Sequence, residues 1–354
     1  MTTTTTRGPR ASVDGLDGPP SAATWAWPPW AVGAGVFLVG VAPLLLSYGR
    51  WLAPQLRFVD LEVYRDAGIS VLLGRPVYHF LTPVPQLLPF TYPPFAALLA
   101  IPLGLLPLGL TQALWTAGQL GLLLWIVSVA FRPLLARAGL LAPVALGAVA
   151  AAVAWIEPVR DGLRFGQVGL LLTALVLADY AVRAPRWPRG MLIGLATALK
   201  LTPGVFIVHL WLSGRRREAL TAAGTAVAAT VGTFLLIPRD SGAFWFAALF
   251  QPDRLGVNAG TSNQSVRGLL LRSLLPGPLQ TVLVLAALTA VAVVGFRLAT
   301  RATRSGHDLG GMAIVGLLAV LLSPVAWIHH LAWFVVGLGV LVGDGRDRAR
   351  VRWA

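Results

Sequence analysis

Apolar runs dominate the chain, broken by short clusters of arginine, proline and glycine. A bilayer-spanning helix needs about 20 apolar residues. On that measure the pattern predicts spans over 30–48, 111–131, 139–156, 168–182, 218–237, 279–297, 310–327 and 331–343, the last two somewhat short. Residues 1–29, with a threonine run and paired prolines, read as a disordered tail, and 344–354 as a basic tail. No cleavable signal is expected, because the first apolar stretch starts far into the chain and lacks a small-residue cleavage site. A single membrane-embedded domain over 30–343 follows, with a long first loop at 49–110.

Two apolar stretches do not fit as simple spans. Tyr92–Pro107 holds four prolines and is short. Counting it as a span would put Arg132, Arg137, Arg183, Arg186 and Arg189 outside. The positive-inside bias therefore favours a helix lying in the outer interface. The second stretch, 190–212, has arginines on both flanks, so both ends belong on the same side. It is expected to enter and return as two short helices bent at Lys200-Leu201-Thr202-Pro203. Such a break is tolerated only where protein or a wet cavity surrounds it.

With these choices the inner loops carry eleven arginines against two acids, and the outer loops ten against seven. Both termini are then cytoplasmic. The loops 49–110, 157–167 and 238–278 face outward and are long and charged, so any chemistry belongs there. Composition agrees: 56% of residues are hydrophobic and 12% charged, against roughly 25% charged in soluble proteins. The net charge of +14 fits basic membrane-facing loops, and no nucleic-acid partner is expected. The absence of cysteine removes disulfides, thiolate metal ligands and thiol nucleophiles together.

Lys200 is the one lysine. A lysine at membrane depth costs at least about 2.5 kcal/mol and is usually paired or functional. In the first loop, Asp60 precedes a periodic run ending at Gly74, as a helix N-cap would. Glu62 and Arg65 are spaced to pair on a solvated face. Adjacent His329 and His330 point about 100° apart on a helix, so one of them should face a given site. His79 adds no metal-binding spacing, and no metal is expected. The segment Glu157–Gln167 offers Arg160 and Arg164 near a helix start. Asn263-Gln264-Ser265 fits a weak glycosylation pattern.

Taken in order, six segments resemble glycosyltransferase family 87, the polyprenol-phosphate-mannose-dependent mannosyltransferases of the GT-C superfamily. They are Asp60-Leu61-x-Val63-Tyr64, Phe90-Thr91-Tyr92-Pro93-Pro94-Phe95, Gly166-Gln167-Val168, Lys200-Leu201-Thr202-Pro203, Asn263-Gln264-Ser265 and Ser323-Pro324-x-x-Trp327-x-His329-His330. They cover residues 58–333. Gly169 stands where the family usually carries Asn.

The resemblance implies an all-α polytopic membrane protein with a GT-C-type helical bundle in a bacterial plasma membrane. It implies inverting transfer of mannose from a polyprenyl-phosphate donor to a glycolipid or glycan hydroxyl, in α-1,2 linkage, on the extracytoplasmic side and with no cofactor. Asp60 is the expected general base. Glu62 and Asp66 are its rivals, but Glu62 is turned about 200° away on the same helix. Lys200, Arg164, His329 and His330 are expected around the donor phosphate. Tyr64, Tyr92, Gln167, Asn263, Gln264 and Arg267 are expected to bind substrate. An arabinofuranosyl donor and a lipid-linked sugar transporter remain as alternatives at this stage.

Overall fold

The computed structural model describes residues 27–51, 56–273 and 275–346. The expected tails therefore lie mostly outside the described residues, in 1–26 and 347–354. Among the described residues the regular structure is helical. In chain order it runs α1 (Pro29–Trp51), α2 (Val59–Leu72), α3 (Pro94–Leu99), α4 (Ile101–Leu105), α5 (Leu108–Ala130), α6 (Arg132–Ala138), α7 (Ala142–Ala154), α8 (Glu157–Phe165) and α9 (Gly169–Ala181). Then come α10 (Met191–Leu199), α11 (Gly204–Leu212), α12 (Arg216–Leu236), α13 (Pro238–Phe246), α14 (Val266–Leu271), α15 (Gly277–Arg304), α16 (Asp308–Leu322) and α17 (Phe334–Val342). A 3-10 segment, Ile328–Trp333, joins the last two.

Among the described residues, five stretches are long and apolar enough to cross a membrane: Pro29–Gly49, Leu108–Ala130, Arg132–Ala154, Arg216–Leu236 and Gly277–Arg304. The protein is an all-α, multi-pass membrane protein. Three expected spans are shorter helices. The one expected over 168–182 is the 13-residue α9, bent 115° from α8. The one over 310–327 stops at Leu322, where Ser323 turns extended before Pro324. The one over 331–343 begins as the 3-10 segment and becomes helical at Phe334.

Small residues bring helices into backbone contact, as expected in lipid, where packing and hydrogen bonds replace the hydrophobic drive. Against α7, Gly33 leaves no room for a Cβ beside Pro143 O, and Gly40 faces Ala151. The indole N–H of Trp155 donates to Gly40 O at 2.9 Å. At the opposite end of the bundle, His209 Nε2 meets Thr303 Oγ1 at 3.1 Å and Arg215 pairs with Asp308 at 2.6 Å. These contacts tie α11 and the start of α12 to α15 and α16.

The two exceptional stretches fold as short helices. Tyr92–Pro107 forms α3 and α4, which meet at Ala100, and α2 packs across them with Gly68 against Ala100 O. In 190–212, α10 ends at Lys200, whose backbone is extended, and α11 starts at Gly204. Gly190 abuts Glu218 O and Gly194 abuts Ala222 O, so the start of α10 lies beside the start of α12. Leu212, at the end of α11, leads directly into that same end of α12. The segment is thus a hairpin with Lys200 at its tip. Nine residues of α10 set the tip about 14 Å from the hairpin's base.

Two expectations about the first and second loops are corrected. Phe58, in left-handed conformation, occupies the N-cap of α2, and Asp60 sits inside the first turn without capping it. Residues 157–165 are the helix α8 and not a loop. Gly166 ends α8 with φ 71°, where a Cβ would lie 2.7 Å from that of Leu61. Phe58 N donates to Arg164 O at 2.8 Å, so α2 is fastened to α8 at their shared corner.

Packing at Gly194 yields a direct test. A methyl there would meet Ala222 O at 2.4 Å, whereas one at Gly224 meets nothing within 4 Å. Gly194→Ala should destabilise the detergent-solubilised protein by about 1–3 kcal/mol, read as a lowered melting temperature. Gly224→Ala should leave it unchanged.

Candidate active site

A cavity of about 930 Å³ opens between the first long loop, α8, the hairpin tip and the 3-10 segment. Asp60, Asp161, Lys200, His329 and His330 line it. Four separate parts of the chain deliver these five groups. Asp60 projects from the first turn of α2. Lys200 stands at the hairpin tip because Pro203 cannot continue α10. The histidines follow Ser323-Pro324, which ends α16.

A hydrogen-bonded chain crosses the cavity wall. Lys200 Nζ donates to Tyr92 Oη at 3.3 Å, and Tyr92 Oη donates to Gln167 Oε1 at 3.2 Å. Tyr64 Oη lies 2.8 Å from Tyr92 Oη and also reaches Gln167 Oε1 at 3.2 Å. The Gln167 side chain also favours the charged form of the Asp60 carboxylate. A carboxylate and an ammonium thus stand at the two ends of a group of two phenols and one amide. Tyr64, Tyr92 and Gln167 are buried, so these groups hold the wall and set its ends.

His330 explains why the Lys200 end suits an anion. Trp327 N–H donates to His330 Nδ1 at 3.2 Å, while Lys200 Nζ lies 2.9 Å from His330 Nε2. A neutral imidazole accepts at one nitrogen only. Two donors therefore face one acceptor, and the surplus donor is available to an oxyanion in the cavity. Beyond this pair lies a small apolar crevice of about 40 Å³, walled by Leu172, Phe206, Val320 and Trp333. Lys200 and His330 line both spaces and so mark the seam between them.

The remaining expected residues divide. Arg164 reaches the cavity, but Asp161 pairs with it at 2.7 Å and it stacks on Phe165. Asn263 is fully buried. Its Oδ1 accepts from Ser265 N at 3.1 Å and Ala326 N at 3.0 Å, and its Nδ2 donates to Asn258 O at 2.8 Å. Gln264 N donates to Ala326 O at 2.6 Å, and the Gln264 side chain to Thr261 O at 2.8 Å. Asn263, Gln264 and Arg267 do not line the cavity. The first two clamp the extended segment that carries His329 and His330, and a buried Asn263 makes no glycosylation acceptor. Glu62 and Asp66 also lie off the cavity, and Arg65 donates to Leu106 O at 3.3 Å. Asp161, which sequence reasoning passed over, is buried and lines the cavity. Its i,i+3 spacing to Arg164 was the available signal. Among the described residues, no three His, Asp or Glu side chains converge as a metal-binding group.

The model of glycosyltransferase family 87 matches residues 90–324. The chain belongs to glycosyltransferase family 87. Asp60 and Tyr64 precede the matched region, and the two histidines follow it, while Tyr92, Gln167 and Lys200 fall within. The chain is 33% identical over 310 residues to a polyprenol-phosphate-mannose-dependent α-(1-2)-phosphatidylinositol mannoside mannosyltransferase of Mycobacterium tuberculosis, covering 84% of this chain and 73% of that protein. It is 36% identical over 344 residues to a polyprenol-phosphate-mannose-dependent α-(1-2)-phosphatidylinositol pentamannoside mannosyltransferase of Mycolicibacterium smegmatis, covering 91% and 80%. No solved structure matches the chain.

Burial pushes the Asp60 carboxyl up from its ordinary value, and His329, the Gln167 hydrogen bond and Lys200 pull it partly back. A base acts only when deprotonated, so activity that depends on Asp60 falls as pH drops through its raised pKa. The acid limb of the kcat/KM profile should therefore have its midpoint above 3.8, the unperturbed carboxyl value. A rate that is flat down to pH 4 in the stable protein would exclude Asp60 as that base.

Proposed function

We propose that the protein transfers a mannosyl residue from a polyprenyl-phosphate-mannose donor to a hydroxyl of a mannosylated phosphoinositol lipid, forming an α-1,2 linkage. The carrying observation is the polar chain that links Asp60 to Lys200 across one cavity, with Lys200 and His330 at the seam beside the apolar crevice. Lys200 and His330 suit a glycosyl phosphate donor: the phosphate lies by these two groups and the sugar faces the larger cavity, toward Asp60. The names of the relatives support the same donor and acceptor class.

In the reaction, the acceptor oxygen attacks the anomeric carbon from the face opposite the phosphate. Its proton passes to Asp60, within hydrogen-bond reach of the attacking hydroxyl. The bond from the anomeric carbon to the phosphate oxygen breaks, and polyprenyl phosphate leaves. Lys200 stabilises the charge that develops on that oxygen, which is worth more in a water-poor site than in water. A β-linked donor thereby gives an α-mannoside. The glycosyl phosphate brings its own leaving group, so no separate general acid is required.

The site faces the extracytoplasmic side of the plasma membrane, with both termini and the basic end of the hairpin in the cytoplasm. The single domain runs over 30–343. This orientation rests on the arginine distribution. Because the chain has no cysteine, single introduced thiols report it cleanly. Ser262→Cys, at the cavity rim, should react with an impermeant maleimide in intact cells, and Ser305→Cys only after permeabilisation. The reverse pattern would invert the topology.

Transfer from radiolabelled polyprenyl-phosphate mannose is the functional test. Wild type should transfer, and Asp60→Asn should lose roughly 10²–10⁴-fold. Lys200→Met should lose roughly 10²–10³-fold. Equal transfer by wild type and Asp60→Asn would remove Asp60 as base. Transfer only from the arabinofuranosyl donor would reassign the sugar, and lipid movement without bond cleavage would make the protein a transporter.

A further inference from the structure

Asp161 and His329 form a second polar unit in the cavity that the chain from Asp60 to Lys200 does not include. Asp161 is buried at the middle of α8, and His329 is 5% exposed. The carboxylate uses its two oxygens differently. Oδ1 accepts from Arg164 Nη2 at 2.7 Å, and Oδ2 lies 3.5 Å from His329 Nδ1. The ring of His329 is held on other sides by Phe165, edge-on at 5.7 Å between centroids, and by His330 at 4.7 Å. Both ring nitrogens are buried without a hydrogen bond. With Nδ1 turned toward Asp161, Nε2 is the nitrogen left for a ligand in the cavity.

The contrast with His330 is chemical. Both nitrogens of His330 have neighbours within hydrogen-bond distance, Trp327 N–H and Lys200 Nζ. Its orientation is set by the backbone. That of His329 is set by a carboxylate, as when a carboxylate on one imidazole nitrogen orients the other toward its ligand. The same carboxylate pairs with Arg164, so one acid on α8 governs two cationic groups that line the cavity.

We infer that Asp161 is a positioning residue of the transfer reaction, which holds doubly protonated His329 through Nδ1–H so that Nε2–H donates to an oxygen of the departing phosphate. The inference rests on the functional reading above. Arg164, paired through Oδ1, is anchored by Asp161 and is not the primary phosphate ligand. Asp161 itself touches neither donor nor acceptor.

The test uses full-length protein in nanodiscs. Its first arm needs no turnover. ¹⁵N spectra of histidine-labelled protein, with His329→Gln to assign the signal, should show the His329 resonances moving in Asp161→Asn. Adding polyprenyl phosphate should move the Nε2 signal in wild type. Unmoved His329 signals in Asp161→Asn, or no response of Nε2 to polyprenyl phosphate, would overturn the inference even if wild type transfers mannose. The second arm is kinetic. Asp161→Asn should lower kcat at least about tenfold with the donor KM changed less than about threefold. Asp161→Glu should recover part of that loss. The double variant Asp161→Asn/His329→Gln should be no worse than His329→Gln alone. Additive losses, or a loss confined to melting temperature with kcat per folded enzyme unchanged, would make Asp161 merely structural. If Asp161→Asn does not fold, Asp161→Glu and His329→Gln carry the spectroscopic arm. An unshifted His329 signal in Asp161→Glu then counts against the inference. Failure of wild type to transfer mannose, with the spectroscopic arm intact, would fault the functional reading and not the role of Asp161.

Discussion

Everything in the cavity follows from holding one ammonium group at membrane depth. An amine there must find polar partners or remain unfavourable by several kcal/mol. The chain meets the constraint by breaking 190–212 into a hairpin, so that Lys200 sits at a tip and not on a lipid-facing helix wall. The partners then come from elsewhere: Tyr92 from the loop before α3, and His330 from the segment after α16. Tyr92 meets both the lysine and Gln167, and the Gln167 side chain favours the charged form of Asp60. Asp60 and Lys200 are thus coupled through one set of contacts.

Much of this was legible in the sequence, because charge bias along a membrane protein is a long-range signal that needs no packing information. Arginines at 183–189 and 215–217 forced the hairpin, and those at 132, 137, 183, 186 and 189 argued against a span over Tyr92–Pro107, which folds as two short helices. Lys200 stood out as the one lysine, set in an apolar stretch, whereas Asp60 was singled out over Glu62 and Asp66 by the family resemblance. What stayed hidden depended on local backbone geometry and on side-chain pairing. Phe58 takes a left-handed conformation that no propensity favours, which displaces Asp60 from the cap. Asn263 looks like a substrate ligand from its motif, yet its amide is occupied by three backbone groups. Asp161 read as one member of a solvated loop, because its spacing to Arg164 does not by itself show that α8 turns its acid inward. The lengths of α9 and α16 were overestimated for a related reason. Hydropathy runs on through Ser323-Pro324 and Val168, where the backbone has already turned.

Two neighbouring histidines illustrate how position alone separates roles. They share a short 3-10 segment and face the same cavity, yet one is oriented by a peptide N–H and the other by a carboxylate. The clamp from Asn263-Gln264-Ser265 to Pro324 and Ala326 holds both. That motif thus contributes to the site from behind, without reaching the cavity.

Gly166 has a wider consequence. Its positive φ and its contact with Leu61 lock α2 to α8 at a corner, beside the backbone bond from Phe58 to Arg164. Asp60 and Asp161 therefore ride on one rigid body. The rim of the cavity at 86–89 and 251–256 belongs to segments without that lock. A side chain at Gly166 would strain that corner and displace both acids together, although Gly166 itself lines no part of the cavity.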